Sequence, residues 1–186
     1  MNSKRKNGAA EMYKRFKAVS QDPECEKFNV ALVNEDISKW TVFMSSFCFL
    51  DDYSQLFKQL EKYEHVSGHP GGVTFEISFP MEFPSEPPFV RVISPRFCYR
   101  TGHVTIGGSI CSPLLTSEKW SSSIDISQIL LYMHSTLIDG QAVVDFTSAL
   151  AFVPYSETEA RANFVRTARD HNWKVSSASF TNSSGL

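Results

Sequence analysis

The sequence predicts an α+β fold: a four-stranded antiparallel meander with helices packed on one face. Three observations carry that prediction. Strand-like segments come in one run between residues 28 and 93, and helix-like segments bracket the run. The clearest strand, 72–79, alternates strictly. Val73, Phe75, Ile77 and Phe79 point one way, and Thr74, Glu76 and Ser78 the other. The flanking segments instead repeat their apolar residues at helical spacing.

The elements follow in order. Asn7 is a fitting N-cap for a helix starting near Gly8, with Met12, Phe16 and Val19 on one face and Asp22-Pro23 as its stop. The first strand, 28–33, alternates through Phe28, Val30 and Leu32. The second, 40–49, alternates through Trp40, Val42 and Met44. Residues 51–65 change texture: Tyr53, Leu56, Leu60 and Tyr63 have helical spacing, and Asp52 with Gln55 suits a cap. This is an extra helix inserted between strands two and three. Pro80, Pro84, Pro87 and Pro88 make a rigid loop before the fourth strand, 89–93, because proline cannot donate to a ladder. Residues 97–110, with Gly102, Gly107 and Gly108, form a long irregular segment of the kind that usually carries function. Two helices close the chain. One spans 124–138, with Ile126, Ile129, Leu130, Met133 and Leu137 on one side. The other opens on the capping box 156–159 and runs to about Trp173. The Ser/Asn-rich stretch from Ser176 reads as a disordered tail. The domain organisation expected is a flexible stretch at 1–7, a single core domain at 8–175 and a tail at 176–186.

Composition narrows the function classes. A chain of 186 residues suits one domain with its own core. With 42% apolar and 20% charged residues it is an ordinary globular composition, and 15 phenylalanines point to an aromatic core. A net charge of −2 offers no whole-chain basic field for nucleic acid. The longest apolar stretch, 40–50, is too short to span a bilayer, and the polar, basic start is unlike a signal peptide. Neither a nucleic-acid nor a membrane partner is expected. Cys25, Cys48, Cys98 and Cys111 lack CxxC spacing and read as free thiols. The basic residues Lys4, Arg5, Lys6, Lys14, Arg15 and Lys17 face a single acid, Glu11. They form either a solvated face or a docking site for an acidic partner.

Cys111 is the residue singled out for chemistry. It follows Gly107-Gly108-Ser109-Ile110, where glycine permits close backbone approach, and it precedes Pro113. A thiol at the end of such a loop is a candidate nucleophile, set against the plainer reading of a small buried hydrophobe. His65 and His69 are four apart, but Gly68 and Pro70 break a helix there and no third ligand is near, so no metal is expected.

The ordered set of motifs resembles the ubiquitin-conjugating enzymes. Residues 79–90 (FPMEFPSEPPFV) resemble their proline-rich loop. Residues 107–111 (GGSIC), followed nine residues on by Trp120-Ser121, resemble their active-site segment. Residues 155–173 resemble their last helix. The run 87–92 (PPFVRV), the one-residue insertion before Trp120, the insertion at 50–70 and residues 140–146 (GQAVVDF) resemble the Q-type members in particular. The resemblance implies the ubiquitin-conjugating fold. It also implies that Cys111 accepts ubiquitin as a thioester from the activating enzyme and passes it to a substrate lysine, with or without a ligase. No cofactor is implied for the chain itself; the upstream activating enzyme uses ATP and magnesium. A cytoplasmic or nuclear, monomeric protein is implied.

The resemblance also assigns roles and exposes departures. Ordinary members carry His-Pro-Asn upstream of the cysteine. Here His103 stands at the Asn slot, either as an oxyanion donor or as a loop brace. Asp145 is the favoured gate acid beside the attacking amine, against a plain turn acid. Gln128, Leu131 and Ser135 would meet the bound ubiquitin, although Leu131 is equally a core candidate. Lys4, Arg5, Lys6, Lys14, Arg15, Ser85, Ser122 and Ser123 would form the activating-enzyme and ligase face. The serines stand where ordinary members have an aromatic and Pro-Ala. Two alternatives stay open: a catalytically inert ubiquitin-binding variant of the same fold, and an enzyme that uses hydroxyl acceptors or another ubiquitin-like modifier.

Overall fold

Strands β1 (Phe28–Val33), β2 (Asp36–Ser45), β3 (Gly72–Ser78) and β4 (Phe89–Ser94) pair in chain order as one antiparallel sheet. Helices α1 (Asn2–Gln21), α2 (Leu56–Ser67), α3 (Ile126–Asp139) and α4 (Glu157–Asp170) complete the α+β fold. The computed structural model describes residues 2–50 and 55–175, with 2–8 by backbone alone.

Helix α1 begins at Asn2, ahead of the start that Asn7 suggests. Lys4, Arg5 and Lys6 are good helix formers, and their propensity outweighs the capping preference of one Asn. Strand β2 is shifted from the expected 40–49. It starts at Asp36 because Asn34 and Glu35, with φ of 50° and 61°, make a two-residue left-handed turn that returns the chain directly into pairing. It stops at Ser45 because residues 46–49 turn into a short 3-10 segment that buries Phe49. Register then does what alternation predicts. Trp40 lies opposite Ile77, Val42 opposite Phe75 and Met44 opposite Val73, and all six are fully buried. A relay of edge-on and tilted rings extends this core: Phe16, Trp40, Phe79, Phe83 and Trp120 follow one another at centroid separations of 4.8–6.1 Å.

The inserted helix is present as Leu56–Ser67, somewhat later than expected, with Leu56, Leu60 and Tyr63 buried. Residues 51–54, including the proposed Asp52 cap and Tyr53, lie outside the described residues, as does the tail 176–186.

The sheet is not covered on one face only. Glu76 and Ser78, expected to face solvent, are 8% exposed, as is Arg91 opposite Glu76 on β4. Helix α4 lies over this second face. Phe89 packs with Ala160 and Phe164, and Lys39 Nζ pairs with Glu157 at 3.1 Å. The buried charges are tolerable because they are paired: Arg91 Nε donates to Glu76 at 3.0 Å and Arg91 Nη1 to the Tyr155 carbonyl at 2.8 Å. The capping box opens α4 as predicted, with Ser156 Oγ accepting from Glu159 N at 3.1 Å. Helix α4 ends at Asp170, before Trp173.

Candidate active site

Cys111 is delivered by a short extension of the sheet. Val92 N donates to Gly108 O at 2.7 Å and Ile110 N to Val90 O at 3.1 Å, so residues 108–110 run antiparallel to β4. They fold back on 104–105 as a tight loop. Thr105 N donates to Ser109 O at 2.9 Å, and the Thr105 and Ser109 hydroxyls meet at 2.7 Å. The close backbone approach that the glycines permit is made to the protein's own Tyr155 and α4. A Cβ on Gly108 would stand 2.5 Å from the Tyr155 ring, and one on Gly107 would stand 2.5 Å from Glu159 O. Gly108 also has φ +91°. Only glycine fits a backbone pressed this hard against Tyr155 and α4.

The thiol itself is half-buried. Its burial alone pushes it above the ordinary cysteine value, and among the described residues nothing hydrogen-bonds to Sγ. Burial thus disfavours the thiolate, the form in which a cysteine is nucleophilic. On the N-terminal side, Cys111 N donates to His103 O at 2.8 Å. On the C-terminal side, buried Ser112 shares a 2.8 Å hydrogen bond with Tyr132 of α3 and caps the turn at Leu114 N.

His103 therefore meets Cys111 through its backbone. Its φ is +52°, a conformation His tolerates better than most residues. Its ring is exposed and lies against Gly140 at the end of α3, where a Cβ would come within 2.7 Å of Cδ2. The ring makes no hydrogen bond among the described residues. Asp145, the expected gate acid, accepts hydrogen bonds from its own turn. Its Oδ1 accepts from Thr147 N at 2.8 Å, Thr147 Oγ1 at 3.0 Å and Ser148 N at 3.1 Å. The Ser148 side chain first, then the Thr147 and Ser148 backbone N–H groups and the Thr147 hydroxyl, lower its pKa to about 2. The carboxylate closes its own turn.

The loops on the other side of the thiol are stapled. Trp120 Nε1 donates to Pro84 O at 2.8 Å, and Ser117 Oγ to Glu86 Oε2 at 2.8 Å. Arg15, assigned to a docking face by resemblance, is largely engaged inside the molecule. Its guanidinium donates to Ile124 O at 3.2 Å and to Ser122 O at 3.4 Å, and it lies 5.2 Å over the Phe83 ring. Burying a planar, delocalised cation among carbonyls and a ring is a task suited to Arg and not Lys. Lys14, Ser85, Ser122 and Ser123 are exposed, and Lys4, Arg5 and Lys6 are described by backbone alone. On α3, Gln128 and Ser135 are exposed, and Leu131 is half-buried against the core. Gln128 Oε1 also accepts from Asp125 N at 2.9 Å, closing the helix start.

Sequence reasoning missed three contributors. Tyr155 receives Phe97 N on its hydroxyl at 3.0 Å while its ring supports Gly108. Arg96 grips Glu159 with Nη1 at 2.7 Å and Nη2 at 3.0 Å, joining the start of the 97–110 segment to α4. Gln59 of α2 reaches Val144. None has a local motif. The only signal for Tyr155 was two adjacent glycines in need of a partner.

Comparison with known proteins places this geometry in a family. The family model for ubiquitin-conjugating enzymes matches residues 69–171. Ubiquitin-conjugating enzyme E2 Q1 of Homo sapiens is 32% identical over 152 residues, which is 82% of this chain and 34% of that protein. The chain thus spans about a third of that relative's length. A second Homo sapiens relative, named as a Q-like ubiquitin-conjugating enzyme protein, is 30% identical over 148 residues, 78% of this chain and 86% of that one. Among solved structures, human ubiquitin-conjugating enzyme E2 G1 has the same fold at 20% identity. Its TM-score is 0.53, over 71% of this chain and 95% of that chain. The match across β3, the Cys111 segment and α4, with a Q-like relative aligned along most of its length, makes this chain a member of the ubiquitin-conjugating enzyme family.

Proposed function

We propose that the chain accepts ubiquitin from the activating enzyme as a thioester on Cys111 and transfers it to a lysine of a substrate protein, with or without a ligase. The observation that carries the reading is a lone, half-buried thiol at the end of a rigid backbone extension, flanked by the family's proline-rich loop and Trp120. In the first step the Cys111 sulfur attacks the thioester carbonyl at ubiquitin's C-terminal glycine. The activating enzyme's cysteine leaves with the electron pair, and the Cys111 proton passes to solvent or to that leaving thiolate. In the second step a lysine amine attacks the new thioester, an isopeptide forms, Cys111 leaves as a thiolate, and the proton lost by the amine passes to that thiolate or to solvent. A sulfur centre suits both steps because it is a good nucleophile and a good leaving group. ATP and magnesium belong to the activating enzyme.

His103, whose carbonyl accepts the Cys111 N–H and whose ring is exposed, is the residue proposed to support the developing oxyanion or the loop that carries it. Gln128, Leu131 and Ser135, at i, i+3 and i+7 on α3, are the proposed ubiquitin contacts.

A charging assay tests the reading. Activating enzyme, ATP, magnesium and ubiquitin are mixed with the wild type and with Cys111→Ser. The expected result is a wild-type adduct that thiol destroys and its absence, or a thiol-resistant ester, in the serine variant. Absence of any adduct in the wild type, with ubiquitin and with other ubiquitin-like modifiers, leaves the inert binding variant. Hydroxylamine then sorts the transferred product: isopeptides survive it, whereas hydroxyl esters do not.

A further inference from the structure

The inserted helix does more than link β2 to β3. Gln59 Oε1 accepts the backbone N–H of Val144 at 2.7 Å. Val144 is 2% exposed, so this N–H has little access to water as a substitute partner. One turn further, Lys62 Nζ lies 4.4 Å over the Phe146 ring, and Tyr63 packs 6.1 Å from Phe152. Helix α2 therefore grips the segment that follows α3 at three points.

That segment pairs with the residues that lead to His103 and Cys111. Val144 bridges Phe97. Cys98 N donates to Val143 O at 2.7 Å and Asp145 N to Arg96 O at 2.8 Å. Val143 N donates to Thr101 Oγ1 at 3.1 Å, and Gly102 N to Gly140 O at 2.8 Å. The next residue is His103, whose carbonyl holds Cys111 N. A continuous run of short hydrogen bonds leads from α2 to the amide of the nucleophile.

We infer that α2 is a brace for the transfer site and that Gln59 is its positioning residue. By holding Val144 N–H, it sets the register of residues 140–146 against 96–102, and with it the backbone that carries His103 and Cys111. The inference rests on the thioester reading of Cys111. A contiguous path is not yet coupling, so the test must read the reaction and the path separately.

The experiment uses the full chain, charged with ubiquitin, freed of activating enzyme and then discharged to free lysine in a single turnover. Gln59→Met keeps the volume and removes the oxygen, whereas Gln59→Glu keeps an oxygen acceptor. Gln59→Met is expected to charge to the wild-type end point and discharge about tenfold more slowly, because small misplacements at a reacting centre cost rate steeply. Gln59→Glu is expected to stay within about twofold of wild type. Amide hydrogen exchange at Val144 should quicken in Gln59→Met and not in Gln59→Glu. Lys62→Ala, on the outer side of α2, should slow discharge in the same direction by about threefold. Wild-type discharge in both Gln59→Met and Lys62→Ala, or equal slowing in the Met and Glu variants, overturns the inference and leaves the thioester reading intact. A wild type that never charges overturns both.

Discussion

The two flanks of Cys111 are held by different means. On the side of the proline-rich loop, side chains bridge loop to loop and helix to loop: Trp120 to Pro84, Ser117 to Glu86, and Arg15 of α1 to Ile124, Ser122 and Phe83. On the side of residues 140–146, backbone pairs with backbone along 96–98, and an inserted helix supports the pairing from behind. The first flank depends on a few residues with distinctive chemistry. The second depends on many ordinary residues in register. A single substitution should therefore loosen the first flank locally, whereas the second should fail only where a buried group loses its partner.

The sharpest disturbance lies beneath both. Arg91 sits on β4, bridged to Ser109, with Glu76 and the Tyr155 carbonyl as partners. Arg91→Ala leaves Glu76 buried without its cation and should cost about 3–5 kcal/mol in urea unfolding. A loss below about 1 kcal/mol would mean that the second face of the sheet is wetter than it looks. Arg15→Ala should cost about 2 kcal/mol, from lost charged hydrogen bonds and ring contact. Its effect should stay on its own flank, with Val144 amide exchange unchanged. Faster exchange at Val144 would merge the two flanks into one unit. Trp120→Phe keeps most of the ring and loses the donor to Pro84, so about 1 kcal/mol is expected by the same denaturation.

The smallest effect separates the flanks by pH. Asp145 in the folded chain titrates at about 2, below the 3.8 of an ordinary aspartate. The folded state binds that proton less readily than the unfolded chain does. Asp145 therefore adds stability fully above the ordinary value, and that contribution fades as pH falls towards 2. Asp145→Asn should flatten the loss of stability between about pH 4 and pH 2 and leave the Arg15 side unchanged. An identical acid limb in the variant would show that the turn bonds to Thr147 and Ser148 carry no net stability.

The sheet, its strand order and all four helices were legible because each rests on periodicity or a cap, with only their ends displaced. Val73, Phe75 and Ile77 can only face one way, and the capping box at Ser156 announces α4. The coverage of the second face was not legible. Glu76 and Ser78 look like solvent residues until Arg91, Lys39 and α4 are brought to them by long-range packing. At the site, Cys111 and Trp120 stood out through spacing and resemblance. What Gly107 and Gly108 approach was not legible, because the partner that demands them, Tyr155, lies far along the chain. The internal partners of Arg15 were not legible because sequence gives its sign and not its burial. Gln59 gave no signal at all, since an amide on a helix is ordinary until its acceptor meets a buried N–H.

The central claim is that Cys111 carries the transferred group. The most direct test is the intact mass of the protein after incubation with activating enzyme, ATP, magnesium and ubiquitin, followed by mapping of the adduct before and after thiol treatment. The account predicts one ubiquitin on the peptide that contains Cys111, lost completely with thiol. An adduct on Cys25, Cys48 or Cys98, a thiol-resistant wild-type adduct, or no adduct at all would contradict it.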